Sequence, residues 1–172
     1  MNFNGTAFTL WFTGLPCSGK TTLASAVKLE LIRMDYEVEH LDGDILRAGI
    51  SKNLGYSEKD RNLNVQRTAS IASNFNQIGK VSLVSLISPY RSSRQKARET
   101  IQRFIEVYVR CPLEVCEKRD TKNMYRLARL GEIKNFTGIS DPYEEPLNPE
   151  IVVDTDVMDV KSCVNKILNH LR

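Results

Sequence analysis

Residues 14–21 carry the clearest chemical signal in the chain, because they read GLPCSGKT and match the pattern G-x-x-x-x-G-K-[ST]. In this pattern glycines let the backbone N–H groups point at phosphate oxygens, a lysine supplies a positive charge, and a hydroxyl can ligate Mg²⁺. A glycine-rich turn before a helix is the alternative, but a match at all four fixed positions favours nucleotide binding. The predicted nucleotide-binding residues are Gly14, Leu15, Pro16, Cys17, Ser18, Gly19, Lys20 and Thr21, with Lys20 on the terminal phosphates and Thr21 on the metal.

Two carboxylates follow the second predicted strand, in the sequence LDGD at 41–44. The third predicted strand ends without an acid, although an acid there is typical of GTPases and motor ATPases. Carboxylates after the second strand fit a small-molecule kinase, where one can accept the acceptor's proton or hold Mg²⁺ through water. The alternative is a turn in which Asp44 caps the next helix. From the residues alone, either carboxylate could take this role.

Polar and aromatic side chains that could hold a second ligand come next along the chain. The polar ones are Arg47, Arg61, Asn64 and Arg67, and the aromatic ones are Tyr56, Phe75 and Phe136. Guanidinium groups bind phosphate or sulfate in bidentate fashion, whereas salt bridges to nearby acids are the alternative for Arg61. We expect Phe75 to be a core residue. Phe136 lies in a basic loop and is harder to explain as core, so we expect it to contact a ligand.

Short apolar runs alternate with helical patterns along the whole chain. We predict strands at 8–13, 37–41, 81–87, 104–109 and 151–153, and helices at 20–34, 58–77, 91–102, after 111 and at 159–171. This alternation predicts an α/β fold, with a parallel β-sheet flanked by helices on both faces. Ligands bind outside the carboxyl ends of such strands, which is where the candidate residues fall. Residues 121–150, rich in basic residues, Gly and Pro, predict a mobile basic lid that is partly helical; we call them the lid segment.

Composition limits the class of protein further. The chain has 172 residues, 41% hydrophobic and 26% charged, which predicts one ordinary domain over 1–172. Its formal net charge of +3 does not favour a nucleic-acid partner, and no apolar run is long enough for a membrane helix. The four cysteines lack metal-type spacing, and residues 1–6 show no signal peptide. These features predict a reduced, cytoplasmic protein with free thiols.

Eight short stretches of the chain match motifs that are characteristic of one protein family. Its characteristic stretches match WFTGL at 11–15, LDGD at 41–44, LGYS at 54–57, ISPYR at 87–91, EVYV at 106–109, CEKRD at 116–120, IKNFTG at 133–138 and DPYE at 141–144. On these motifs the chain resembles the adenylylsulfate kinases, also called APS kinases. The likeness covers about residues 10–155. The motifs at 87–91 and 133–138 are more specific than the pattern at 14–21, which we call the phosphate loop.

The resemblance implies a P-loop kinase fold and ATP-dependent, Mg²⁺-assisted phosphorylation of the 3′-hydroxyl of adenosine 5′-phosphosulfate (APS). It implies that Asp44 serves the metal and the acceptor hydroxyl, and that Arg119 lies against the ATP adenine with Thr155 nearby. The acceptor-binding residues that it implies are Asp42, Arg47, Tyr56, Arg61, Asn64, Ile87, Ser88 and Phe136. The family assigns a phosphoserine intermediate to Ser88, whereas a serine without a neighbouring base predicts direct transfer. The family is often dimeric, so the resemblance also allows a homodimer.

The chain departs from the family pattern at four positions. Tyr56 stands where Phe is usual, Gln66 where Arg is usual, Ile45 where Asn is usual, and Leu127 where the lid usually has a cation. Two lost positive charges near an acceptor would weaken binding of a phosphosulfate. A second interpretation is therefore a same-fold kinase for another activated nucleotide, such as cytidine diphosphoramidate. A third is a non-catalytic nucleotide-binding regulator, against which the retained acceptor-side residues argue.

Overall fold

The computed structural model describes residues 7–171, so the expectation about a signal peptide in residues 1–6 lies outside it. Five strands alternate with seven helices in this part of the chain. The strands are β1 Thr9–Thr13, β2 Val38–Asp42, β3 Val81–Ser85, β4 Phe104–Arg110 and β5 Ile151–Asp154. The helices are α1 Lys20–Arg33, α2 Gly43–Ala48, α3 Glu58–Gln77, α4 Arg91–Thr100, α5 Leu113–Lys118, α6 Met124–Arg129 and α7 Val160–His170. Among these described residues, no helix has the length and apolar character needed to cross a membrane.

The five strands form one parallel sheet in the order β2-β3-β1-β4-β5. Strand β1 is central, and its Leu10 pairs with Leu83 on one side and Ile105 on the other. Its five residues are all buried, as expected for a parallel strand covered on both faces. The predicted α/β fold with a parallel sheet is confirmed.

Alternating side chains of β1 feed two separate cores. Leu10 and Phe12 pack with apolar residues of α1 and α7 on one face of the sheet. Trp11 points to the other face, where it packs with residues of α3 and α4 and lies 5.5 Å from the ring of Phe104. Because both faces are covered by helices, the functional groups collect at the carboxyl edge of the strands.

Two predicted elements differ from the structure near this edge. Strand β3 ends at Ser85, two residues before the predicted end, and the expected turn at 42–44 is the start of helix α2. Asp42 caps that helix, since its Oδ1 accepts the amide N–H of Asp44 at 2.9 Å. A six-residue helix has fewer than two turns, so its periodicity is too short to recognise in the sequence, which explains the wrong prediction of a turn.

The lid segment consists of two parts with different contacts. Helix α6 lies in the first part, where Tyr125 and Phe136 pack edge to face at 4.9 Å in a small core of their own. In the second part, the Tyr143 hydroxyl shares a 3.0 Å hydrogen bond with Thr13 of β1, and the Tyr143 ring stacks on Tyr108. The second part is thus held on the sheet, and mobility stays a prediction chiefly for the first.

Candidate active site

The phosphate loop connects β1 to α1 in a conformation that needs its glycines. A Cβ on Gly14 would lie 2.5 Å from the carbonyl oxygen of Val109, closer than real Cβ contacts come. Gly19 has φ of +100°, in the left-handed region that favours glycine, and immediately precedes α1. The backbone therefore curls tightly before the helix, and the N-terminus of α1, whose first amide N–H groups have no partner within the helix, lies directly after the loop.

Lys20 is the first residue of α1, and its side chain folds back over the loop. Its Nζ donates to the carbonyl oxygens of Leu15 at 2.6 Å and Gly14 at 3.1 Å, and only 9% of the residue is exposed. Burial lowers the pKa of Lys20 to about 8. A phosphate bound in the loop would raise it again, because an adjacent negative charge favours the protonated form.

The carboxylate behind the phosphate loop is Asp42. Its Oδ2 accepts hydrogen bonds from the hydroxyls of Thr21 at 2.7 Å and Ser85 at 2.9 Å. Burial acts to raise the pKa of Asp42, but these bonds and the Asp44 amide outweigh it, so the pKa lies below its usual value. An ionised carboxylate therefore orients the hydroxyl that the sequence assigns to the metal. The family resemblance implies that Asp42 binds the acceptor, whereas in the structure it lies beside Thr21, the predicted metal ligand.

Ser85 and His40 complete this hydrogen-bond chain, and the sequence analysis missed both. Ser85 lies directly opposite Asp42 in the pairing of β2 with β3, and its hydroxyl is 2.8 Å from Nε2 of His40. Because Ser85 gives its one proton to Asp42, the His40 nitrogen must donate to the serine oxygen. The signal that could have found Ser85 is its place at the carboxyl end of β3.

Asp44 has a different environment from Asp42. Its side chain is 85% exposed and makes an ion pair with Lys122 of the lid segment at 3.2 Å. The structure thus places Asp44 between the strand edge and the lid, at a position that a ligand between them could reach. The expectation that Asp44 serves the metal and the acceptor hydroxyl stays a prediction.

A cleft of about 450 Å³ extends from the phosphate loop toward α7. Its wall includes Arg119, which donates to the Thr155 hydroxyl at 3.1 Å and to the Thr155 carbonyl oxygen at 2.6 Å. The Thr155 hydroxyl in turn donates to the carbonyl oxygen of Ser18 at 2.9 Å. The cleft therefore joins the predicted adenine-side residues to the phosphate loop, as a bound ATP would require.

On the opposite side of the site, two arginines and an aromatic ring form a cluster. The guanidinium carbons of Arg47 and Arg61 lie 4.3 Å and 5.5 Å from the centre of the Tyr56 ring. Arg61 is buried, and it donates from Nε to the carbonyl oxygen of Tyr56 at 2.9 Å and from Nη2 to that of Asn135 in the lid segment. This cationic cluster is thus tied directly to the lid.

The remaining polar and aromatic candidates for a second ligand lie in different environments. Asn64 is buried, and its Oδ1 has no hydrogen-bond partner among the described residues. Phe136 is also buried and packs in the small core of the lid, so the expectation that it is not a core residue is wrong. Its contact with a ligand stays a prediction. Arg67 donates at 2.9 Å to both the Ile50 carbonyl oxygen and Asn53 Oδ1. Phe75 is only half-buried and belongs to none of the three apolar cores of the described residues, so the expectation that it is a core residue is wrong.

Ser88 lies in the loop that follows β3, and its hydroxyl is buried. The indole N–H of Trp11 donates to Ser88 Oγ at 3.0 Å, and the serine hydroxyl faces the carbonyl oxygen of Leu86 at 3.4 Å. The preceding residue, Ile87, accepts from the Thr13 hydroxyl at 2.7 Å through its carbonyl oxygen. None of these partners is a base that could activate Ser88.

Comparison with known proteins adds to this geometry. The family model for adenylylsulphate kinase matches residues 6–154, which is most of the chain. The chain belongs to the adenylylsulphate kinase family. It is 48% identical over 165 residues to the adenylyl-sulfate kinase of Oceanobacillus iheyensis, covering 95% of this chain and 83% of that protein. It is 49% identical over 168 residues to that of Halothermothrix orenii, covering 98% and 91%.

Solved structures of this kinase family agree with the sequence relatives. The fold matches the Mycobacterium tuberculosis APS kinase, solved in complex with AMPPNP and APS, with a TM-score of 0.92 and 37% identity. That match covers 96% of this chain and 98% of the mycobacterial chain. Family membership therefore identifies this chain as a kinase that acts on nucleotides, and it confirms the resemblance found in the sequence.

Proposed function

We propose that this chain transfers the γ-phosphoryl group of ATP to the 3′-hydroxyl of adenosine 5′-phosphosulfate. The observation that carries the proposal is a site with two halves under one lid. The phosphate loop and the Thr21–Asp42 pair form the donor half, and the cluster of Arg47, Tyr56 and Arg61 forms the acceptor half. The lid contacts both. The Tyr125 hydroxyl donates to the Pro16 carbonyl oxygen of the phosphate loop at 2.9 Å, and Asn135 accepts from Arg61 on the acceptor side.

The donor half has the groups that ATP needs. The loop amides and the N-terminus of α1 bind the phosphates. The Lys20 ammonium already lies on this loop, where it donates to the carbonyl oxygens of Gly14 and Leu15. Arg119 and Thr155 frame the cleft beside it, where the adenine would lie. These residues can fix the γ-phosphate in one place, which is the main requirement for phosphoryl transfer.

The residues also fit a magnesium ion that accompanies ATP. Thr21 presents its hydroxyl beside the ionised Asp42 carboxylate, which is the oxygen chemistry that Mg²⁺ prefers. No group of three or more His, Cys, Asp or Glu side chains forms a metal site within residues 7–171, so the ion would depend on the phosphates as well. Thr21, Asp42 and Asp44 would hold it, and its charge would offset negative charge on the phosphates.

The acceptor half suits an anionic nucleotide. Two arginines flank the Tyr56 ring, whose exposed face can stack on a base while the guanidinium groups bind the phosphosulfate. The buried Asn64 Oδ1, which lacks a partner among the described residues, can accept a hydrogen bond from the ligand. A sulfate and a phosphate together carry enough negative charge to match both arginines.

The transfer step itself can proceed directly. The 3′-oxygen of the acceptor forms the new bond to the γ-phosphorus as the bond to the leaving oxygen of ADP breaks. The proton of the hydroxyl passes to a carboxylate at the strand edge, and Asp44 is exposed there for this role. Ser88 is held by Trp11 and has no base beside it, so a phosphoserine step is not needed.

A side-by-side kinetic assay tests the proposal. ADP release would be measured with APS and with cytidine diphosphoramidate as acceptors, and phosphorus NMR would locate the new phosphate. We expect APS to give a KM in the micromolar range and a 3′-phosphorylated product. The Lys20→Ala variant is the control for ATP-dependent background. Turnover of the cytidine acceptor alone would refute the proposal, and ATP binding without any transfer would favour a regulator.

The homodimer that the family resemblance allows stays a prediction. The effect on acceptor binding of the departures at Ile45, Tyr56, Gln66 and Leu127 stays a prediction as well. Leu127 is half-buried in α6, on the lid rather than in the acceptor cluster. We therefore propose that the cation missing at this position costs little acceptor affinity, and Leu127→Lys should leave the KM for APS nearly unchanged.

A further inference from the structure

Arg94 is a buried arginine of α4 that connects three segments of the chain. Its Nε donates to Glu106 Oε1 of β4 at 2.7 Å. Its Nη1 donates to the carbonyl oxygen of Ser88 at 2.6 Å, and its Nη2 donates to that of Glu144 in the lid segment at 2.6 Å. The planar guanidinium thus fixes the strand, the loop after β3 and the end of the lid in one geometry.

The Ser88 contact falls at a strained position. Ser88 has φ of +40°, in the left-handed region that non-glycine residues rarely adopt. Such a conformation persists only when the surroundings hold it. Here Arg94 holds the Ser88 carbonyl group and Trp11 holds its hydroxyl. Loss of the Arg94 contact should therefore let this loop relax.

The Glu144 contact joins the lid to the same loop. The amide N–H of Glu144 donates to the Pro89 carbonyl oxygen at 2.9 Å, and the Glu144 carboxylate accepts the amide N–H of Arg91 at 2.7 Å. Arg91 also donates from Nε to the Glu145 carbonyl oxygen at 2.7 Å. With Arg94, these bonds make the end of the lid and the loop carrying Ile87 and Ser88 one connected unit.

The Glu106 contact supplies the counter-charge that keeps Arg94 in place. Both side chains are nearly inaccessible, with 4% and 10% exposed. A buried ion pair pays a desolvation cost that can exceed its attraction, so stability alone is a weak reason for it. What an apolar pair of similar size could not provide is the pair of directed N–H groups aimed at Ser88 and Glu144.

We propose that Arg94 is a positioning residue for the acceptor nucleotide. It aligns the loop of Ile87 and Ser88 with the carboxyl-terminal anchor of the lid, so that the acceptor is held against the donor phosphate. The proposal rests on the proposed function, because it assumes that this loop lines the acceptor site. Arg94 acts through the backbone of these segments and does not itself touch the reacting atoms.

The test compares Arg94→Lys with Arg98→Lys, a matched control on the same helix. Lysine keeps the charge beside Glu106 but cannot direct N–H groups at three segments. Arg98 pairs with Glu150 and Glu106 and has no contact with Ser88 or Glu144 in the structure. Steady-state kinetics would be measured for both substrates. Emission from Trp11, the single tryptophan, would report on the Ser88 loop that it bonds.

We expect Arg94→Lys to raise the KM for APS about tenfold or more, the effect of one lost charge-assisted hydrogen bond, with the KM for ATP within about twofold. Trp11 emission should change in Arg94→Lys and not in Arg98→Lys. An equal rise in KM for both substrates would overturn the proposal. Unchanged Trp11 emission together with unchanged APS kinetics would also overturn it. If Arg94→Lys does not fold, the double variant Arg94→Gln/Glu106→Gln leaves no buried lone charge and is expected to give the same APS-selective effect.

The experiment also separates this proposal from the proposed function. If the wild-type protein does not phosphorylate APS, the proposed function fails. The Trp11 emission of Arg94→Lys still reports whether Arg94 holds the Ser88 loop, and an unchanged emission then refutes the positioning role. An altered emission, together with a rise in KM for the acceptor used and not for ATP, supports the positioning role.

Discussion

Asparagine substitutions at Asp42 and Asp44 should separate two roles of neighbouring carboxylates. Asp42 accepts hydrogen bonds from two hydroxyls on Oδ2 and from an amide on Oδ1. In Asp42→Asn, an NH₂ group must face at least one of these donors, whichever way the amide is oriented. Asp44, with its side chain 85% exposed, has no such buried set of donors.

The magnitude follows from these contacts. A lost charge-assisted bond and an opposed buried donor cost about 2–3 kcal/mol together, so Asp42→Asn should lower the free energy of unfolding by about that amount. For a chain of this size, that corresponds to a Tm lower by roughly 4–12 °C. Asp44→Asn should leave the Tm within about 2 °C of wild type. It should nevertheless lower kcat about 100-fold or more, the usual contribution of a general base.

Thermal unfolding followed by circular dichroism gives the Tm, and an ADP-release assay over a range of Mg²⁺ concentrations gives kcat and the metal dependence. Asp42→Asn should need more Mg²⁺ for half-maximal rate, because Thr21 loses the carboxylate that orients its hydroxyl. An Asp42→Asn protein that melts like wild type would refute the hydrogen-bond argument. A large drop in Tm for Asp44→Asn with full kcat would show that the two roles are reversed.

Two further predictions concern Lys20 and Ser88. Because burial lowers the pKa of Lys20 to about 8, its charge is present below that pH and lost above it, so kcat/KM for ATP should fall as the pH rises through about 8. A profile that stays flat to pH 10 would contradict this, and Lys20→Ala should lack the pH-dependent step in its residual rate. Ser88→Ala should keep substantial activity and yield no phosphoserine by mass spectrometry, while the orphaned Trp11 N–H shifts the tryptophan emission. Complete loss of activity together with a trapped phosphoserine in the wild type would show that transfer is not direct.

The phosphate loop and the membership of the family could be predicted from short local stretches of sequence. The groups predicted to bind phosphate lie within the eight residues from Gly14 to Thr21, and backbone curvature there depends on the residue types themselves. The strands and long helices were predictable for a related reason, since each buries an apolar pattern that repeats along its own length. Most of the acceptor residues were named from motifs, without their geometry.

Only the tertiary structure decided which groups meet. Asp42 contacts Ser85 because β2 pairs with β3, and no pattern in either strand states that pairing. Phe136 is buried because the lid folds a small core of its own. Arg94 gains its role from contacts with Ser88, Glu106 and Glu144, the last of which lies 50 positions away along the chain. Such contacts depend on how the elements pack in three dimensions, whereas local propensity depends only on neighbours in sequence.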